Sequence, residues 1–171
     1  MVGEPKKYVF RKYSEKFPAL FAYEKRRLHK ILPTALIEHF GSSAVPGLGG
    51  KGIIDVMVSV LKRSMDGALK KLIAHGYEYT GTGGGKDRKF LQRTIRWAGC
   101  ERWVHVHLTP DGSRVWRRAI AVRDYLRRNK VVAMEYAKLK RLAAKEAKGD
   151  GAKYRRLKKD FLDRVKRRVL R

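Results

Sequence analysis

Residues 53–61 read Ile-Ile-Asp-Val-Met-Val-Ser-Val-Leu and are apolar on both faces of an extended chain. A strand with no face to give to water belongs in the middle of a sheet. Asp55 interrupts that run. An ionised carboxylate in such a strand is costly unless it is paired or bound to a cation. Side chains alternate along a strand, so Ile53, Asp55 and Met57 share one face. Asp55 is therefore expected at a sheet face or edge where something cationic meets it.

The flanking segments fill in the rest. Pro18 opens a helix near Ala19. In it Leu20, Phe21, Leu28, Ile31 and Leu32 recur at helical spacing until Pro33 stops it. Residues 35–40 read as a short strand ended by Gly41-Ser42-Ser43. Further on, a helix is predicted over 65–75 with Gly76 closing it, a strand over 77–80 and a flexible loop over 81–85. Strands over 90–97 and 102–108 are joined by a turn near Ala98-Gly99.

The remainder is helical. Asp111 or Ser113 caps a helix running to about Arg128, and a second, rich in Ala, Lys and Leu, covers 131–148. Gly149-Asp150-Gly151 breaks it, and a third covers 152–170. On the third, Tyr154, Leu157, Phe161, Val165 and Val169 form a stripe expected to pack onto the sheet. The expected fold class is α+β: a mixed β-sheet core over about 33–110 flanked by helices, with a helical C-terminal part over about 111–171. The 171 residues suit one domain.

Charge narrows the partners. Lys and Arg number 42 against 16 Asp and Glu, a formal net charge of +26. Roughly fifteen of those net charges lie from Asp111 onward. Such a surface attracts polyanions, RNA among them, and concentrates anionic small molecules. No apolar run approaches the ~20 residues of a membrane span. Residues 1–11 are polar and basic, so no secretory leader is expected. The single Cys100 forms no internal disulfide, and a reduced, cytoplasmic setting is the default expectation.

Two groups of residues carry candidate chemistry. At the end of the first strand, Gly41 lets the backbone turn and approach a ligand closely. Ser42, with Ser43 beside it, adds hydroxyl and backbone N–H groups able to form an anion nest, and phosphate is the obvious occupant. Lys51 adds a point charge. Arg88, with Lys86 and Lys89, follows the 81–85 loop where it can close over a phosphate. The second group is His105 and His107, which alternate with Val104, Val106 and Leu108. The apolar set faces the core, and the two imidazoles share the other face ~7 Å apart along the strand. Two imidazoles so placed can share a transition metal, contact phosphate, or act as acid and base. Glu38 and His39 are alternative metal or base candidates beside the Gly-Ser turn. Arg123 and Asp124 either pair with each other or point at the site.

The run Ile37-Glu38-His39-Phe40-Gly41-Ser42-Ser43-Ala44-Val45-Pro46-Gly47-Leu48, followed by Lys51-Gly52-Ile53-Ile54-Asp55-Val56-Met57-Val58, resembles the signature of the GrpB family. His105-Val106-His107, Arg123-Asp124-Tyr125-Leu126, Tyr136 and Leu139-Lys140 follow in that family's order. The resemblance implies a nucleotidyltransferase-type fold. It implies metal-dependent transfer of a nucleotidyl group from an NTP to an acceptor. In that superfamily a Gly-Ser turn holds phosphates, and carboxylates on neighbouring strands hold two Mg²⁺ ions ~3.5–4 Å apart. Gly41, Ser42 and Asp55 match the pattern. Met57 stands at the second carboxylate, and a thioether does not ligate Mg²⁺, which wants oxygen. The strand bearing His105 and His107 takes the place of the third carboxylate. Asp55, His105 and His107 would then suit Zn²⁺, Mn²⁺ or Ni²⁺ better than paired Mg²⁺. The alternative implied by Met57 is a degenerate member that binds a nucleotide, a phosphorylated metabolite or RNA without chemistry.

Overall fold

The structure, a computed structural model, describes residues 10–81, 85, 87–97 and 99–169. Residues 1–9, most of the expected 81–85 loop, Lys86, Ala98 and the end of the last predicted helix at Leu170 lie outside the described residues. The elements run α1 (Phe17–Ile31), β1 (Leu36–Phe40), β2 (Ile54–Val60), α2 (Met65–Ala74), β3 (Glu78–Gly81), β4 (Lys89–Trp97), β5 (Cys100–Pro110), α3 (Arg114–Arg128), α4 (Lys130–Ala147) and α5 (Gly151–Val169). This is the expected α+β architecture. The strands form one mixed sheet in the order β1-β2-β5-β4-β3, with β2 and β5 parallel and the other pairs antiparallel.

The doubly apolar β2 lies between β1 and β5, as its sequence demands. One face of the sheet carries Ile54, Val56 and Val58 beside Val104, Val106 and Leu108, all at 0% exposure. They pack under Leu20 and Leu28 of α1 and Leu72 of α2 in one continuous core. Each such side chain contributes roughly 1.5–3 kcal/mol by leaving water.

The opposite face is a different surface. The parallel register pairs Asp55 with His105 and Met57 with His107, and the antiparallel register sets Phe40 beside Asp55. The three C-terminal helices lie on this side but do not press the α5 stripe onto it. Phe161 and Val165 pack instead with Leu126 of α3, Ala133 and Tyr136 of α4, and Val45 and Leu48 of the loop before β2. Phe161 stacks on Tyr136 at 4.8 Å, and Tyr154 joins Ala143 and Ala147. The expectation that the stripe meets the sheet is corrected. A strand face holding an acid and two imidazoles offers a poor apolar bed, so the helices make their own core and stand off.

Local chemistry sets the helix ends. Ser113 Oγ accepts from Trp116 N at 3.2 Å and starts α3. Asp150 Oδ1 accepts from Ala152 N and Lys153 N at 2.8 and 3.1 Å and starts α5, a capping role beyond the simple break expected there. Among the described residues no helix is long and apolar enough to cross a membrane.

One buried polar pair ties α1 to the start of β3. Tyr77 Oη donates to Glu24 Oε1 at 2.5 Å, and Glu24 is completely buried. Removing the hydroxyl leaves a buried carboxylate short of its donor. Tyr77→Phe is expected to cost about 1–3 kcal/mol in urea denaturation. An unchanged midpoint would show that the pair contributes nothing.

Candidate active site

Gly41 makes the corner of the site. Its backbone sits at φ 72°, and a Cβ built there would lie 2.5 Å from Asp55 Oδ2. Only glycine fits, for both conformational and steric reasons. Gly50 is constrained by space alone, since a side chain there would collide with Ser42. A two-way backbone bridge between Arg11 and Gly50 pins this loop, at 2.6 and 2.9 Å.

Asp55 Oδ1 lies 3.5 Å from His105 Nδ1 and 3.9 Å from His107 Nε2, with a quarter of the Asp55 side chain exposed. Burial works to raise the Asp55 carboxyl, but the two imidazoles facing it outweigh that and hold it well below the usual carboxylate range. Burial pushes His107 below its ordinary value, against the pull of Asp55. Phe40 and Phe90 pack edge-on and tilted against the His107 ring at 4.9 Å, closing it off.

In front of Asp55 is a cleft of about 520 Å³ between the sheet and α3–α5. Its lining includes Gly41, Ser42, Lys51, Asp55 and Arg88, five of the residues singled out from sequence. The other three fall elsewhere. Ser43 turns away to the α1 side, where its Oγ lies 3.0 Å from His39 Nε2. His105 and His107 stand behind Asp55 and are not part of the cleft lining. Glu38 and His39 are also committed. Glu38 Oε2 accepts from Arg123 Nη1 at 2.5 Å, and the His39 ring stacks on Phe21 at 4.6 Å. Arg123 both pairs with Asp124, at 2.8 Å, and lines the cleft.

The helices add cations to which the sequence reading gave no role: Arg118 of α3, Lys140 of α4, named there only within the family resemblance, and Lys158 and Lys166 of α5. Lys140 is 2% exposed and donates from Nζ to the Gly49 carbonyl. Burial, with Lys158 next, pushes Lys140 down to about 7, and burial with Lys51 pushes Lys158 down to about 8. A signal for Lys140 was present. It occupies the same seam of α4 as Ala133, Tyr136, Ala143 and Ala147, where a lysine has no business unless something anionic or polar meets it.

A pair of Mg²⁺ ions does not fit these residues. Met57 is 1% exposed and offers sulfur where the second acid is needed. Among the described residues no group of three His, Cys, Asp or Glu side chains is arranged to hold a metal ion. The ring nitrogens of His105 and His107 address the Asp55 oxygen instead.

Comparison with known proteins places the chain. A sequence model described as GrpB protein matches residues 8–168. The chain belongs to the GrpB family. The crystal structure of the conserved protein GrpB from Enterococcus faecalis superposes with a TM-score of 0.81 at 30% identity, covering 95% of this chain and 97% of that one. The UPF0157 protein YqkA of Bacillus subtilis is 34% identical over 77% of this chain, but the chain spans only 38% of that relative's length. The glutamate-rich protein GrpB of Alkalihalophilus pseudofirmus is 29% identical, with 90% of both chains covered. The Cid1 poly(U) polymerase shares the fold at a TM-score of 0.53 and 19% identity, over 80% of this chain and 42% of the polymerase. The GrpB fold here is thus nucleotidyltransferase-like. One relative is called glutamate-rich, whereas this chain carries 16 acidic against 42 basic residues.

Two predictions follow from this geometry. Gly47 has φ 75° with nothing within 4 Å of a built Cβ, whereas Gly41 adds a collision with Asp55 to the same strain. Left-handed strain alone costs of order 1–3 kcal/mol. Gly41→Ala is therefore expected to lower stability more than Gly47→Ala in parallel thermal melts, and equal losses would remove the Asp55 contact from the account.

The second concerns acid. Burial, with Arg127 and Arg123 adding to it against Asp55, pushes His39 down to about 4. The unfolded chain takes up this proton first, near pH 6.5, so stability falls as pH drops from about 6.5 to about 4, by up to about 3 kcal/mol. His107 is shifted in the same direction. His39→Gln should flatten this limb of the stability–pH curve. A wild-type curve that is level across that window would contradict the burial argument.

Proposed function

We propose that this GrpB-family chain is a nucleotidyltransferase whose nucleoside triphosphate lies in the cleft between the sheet and α3–α5. One observation carries the reading: an ionised Asp55 beside a Gly41–Ser42 corner, in a cleft whose other charged lining residues are all cations, Lys51, Arg88, Arg118, Arg123, Lys140, Lys158 and Lys166. Solved forms of the Cid1 polymerase hold a UTP analogue and a short ApU product, which supports an NTP as the occupant.

In this reading the triphosphate sits against the Gly41–Ser42 corner, and Lys51, Arg88, Lys140 and Lys158 neutralise it. An acceptor hydroxyl attacks the α-phosphorus. The bond to the bridging oxygen breaks, and pyrophosphate leaves with the negative charge. A divalent cation carried by the nucleotide, Mg²⁺ or Mn²⁺, would supply further charge neutralisation there. Asp55 is the protein carboxylate it meets. So acidic a carboxyl is a weak base at neutral pH, so Asp55 orients and attracts rather than removes the acceptor proton. His105 and His107 act through Asp55, keeping it ionised and fixed. Lys140 and Lys158 regain their protons against the bound phosphates, and the acceptor's proton passes to solvent water.

Met57 favours a second reading, in which the cleft binds the nucleotide without transfer. Pyrophosphate release from NTP and Mn²⁺, in the presence of RNA, protein and small-molecule acceptor fractions and abolished in Asp55→Ala, establishes the enzyme. Binding without release establishes the second reading. No binding defeats both.

An anion in the cleft should restore the suppressed protons of Lys140 and Lys158. Calorimetric titration of ATP near pH 8, in buffers of different ionisation enthalpy, is expected to show proton uptake on binding. In Lys140→Met the uptake should shrink and affinity fall by about tenfold or more. Binding without proton uptake would place the phosphates away from α4.

A further inference from the structure

A second groove, of about 470 Å³, lies on the other side of α3 from the cleft, against the end of α5. Helix α3 thus has two working faces. Val115, Arg118, Ala119 and Val122 line the cleft, whereas Trp116, Arg117, Tyr125 and Arg128 line the groove. Arg168 reaches it from α5 and donates from Nη1 to Tyr125 Oη at 3.2 Å. Trp116 and Tyr125 are half-buried, which fixes their rings, while Arg117, Arg128 and Arg168 are exposed. Nine residues separate the two aromatics, so they stand about 13 Å apart along the helix axis.

The chemistry of this groove is specific. Stacking on aromatic rings suits unpaired bases, and arginines at the rim suit a phosphate backbone. Asp124 is the groove's one carboxylate among the described residues. It takes Arg123 Nε on Oδ1 at 2.8 Å, and its second oxygen offers an acceptor to a 2′-hydroxyl, the group that separates RNA from DNA. A second copy of the chain is a poor occupant, because each copy carries a net charge of +26.

The geometry points to this groove as a binding site for single-stranded RNA, with bases stacked on Trp116 and Tyr125 and phosphates held by Arg117, Arg128 and Arg168. The assignment does not depend on whether the cleft transfers nucleotides.

Fluorescence anisotropy with a short labelled RNA of mixed sequence tests it. The DNA of the same sequence and heparin, a polyanion without bases, are run in parallel over a salt series. Trp116→Ala should weaken RNA roughly 5- to 150-fold and leave heparin unchanged, with Trp116→Phe retaining most of the affinity. Arg117→Gln, at an exposed position, should reduce the salt slope for RNA by about 0.7, while Lys70→Gln on the distant α2 should not move it. RNA should bind more tightly than DNA. Equal weakening of RNA and heparin in Trp116→Ala, an Arg117→Gln slope no different from that of Lys70→Gln, or DNA binding as tight as RNA would overturn the assignment.

Discussion

One ionised carboxylate inside a sheet organises this molecule. Asp55 sits in register between Phe40 and His105, with His107 one pleat further along. The two imidazoles make its charge tolerable where burial alone would neutralise it. That charge gives the sheet two unlike faces. One is a continuous apolar bed under α1 and α2. The other cannot be sealed by an apolar helix, so α3, α4 and α5 pack against one another and leave a cleft. The glycine corner belongs to the same constraint, since the chain entering beside Asp55 has no room for a Cβ.

The cleft inherits an imbalance. Six lysines and arginines, with Arg123 beyond them, line it beside a single acid, Asp55, although Lys166 is paired with Asp163 and Arg123 with Glu38 and Asp124. Two of the lysines are buried enough that their protons are loosely held at neutral pH. Like charges gathered in a partly dry space repel one another, and the repulsion is relieved when an anion enters. The arrangement is thus less comfortable empty than filled. That is what separates it from a basic surface, where solvent and salt would screen the same charges.

Most of the fold was legible in the chain. The doubly apolar run at β2 demanded a central strand, Asp111 or Ser113 announced the start of α3, and the alternation around His105 and His107 separated the core face of β5 from its polar face. The α5 stripe was visible too, but not its partner, because a stripe records that a face is buried and not against what. The same gap explains the site. Gly41, Ser42, Lys51, Asp55 and Arg88 converge as their local chemistry suggested. Ser43 does not, because a single 3₁₀ turn over Ser42–Ala44 sends successive hydroxyls to opposite sides. Lys140 stood in the family resemblance without a role, and its place on an apolar seam was the sign of one, whereas Arg118, Lys158 and Lys166 left no signal among so many other cations.

In the proposed reading, the presence of Met57 rather than a second acid and the cations on α4 and α5 belong together physically. A triphosphate needs positive charge around it wherever it reacts, from metals held by carboxylates or from the protein itself. With Asp55 alone, the sheet can anchor little metal. Lys140 and Lys158 stand across the cleft from it, carried by helices that the Asp55 face itself kept from closing down. On this account the strong charge of the C-terminal helices is not ornament spread over a surface. Part of it faces a sheet that offers the cleft one acid, Asp55.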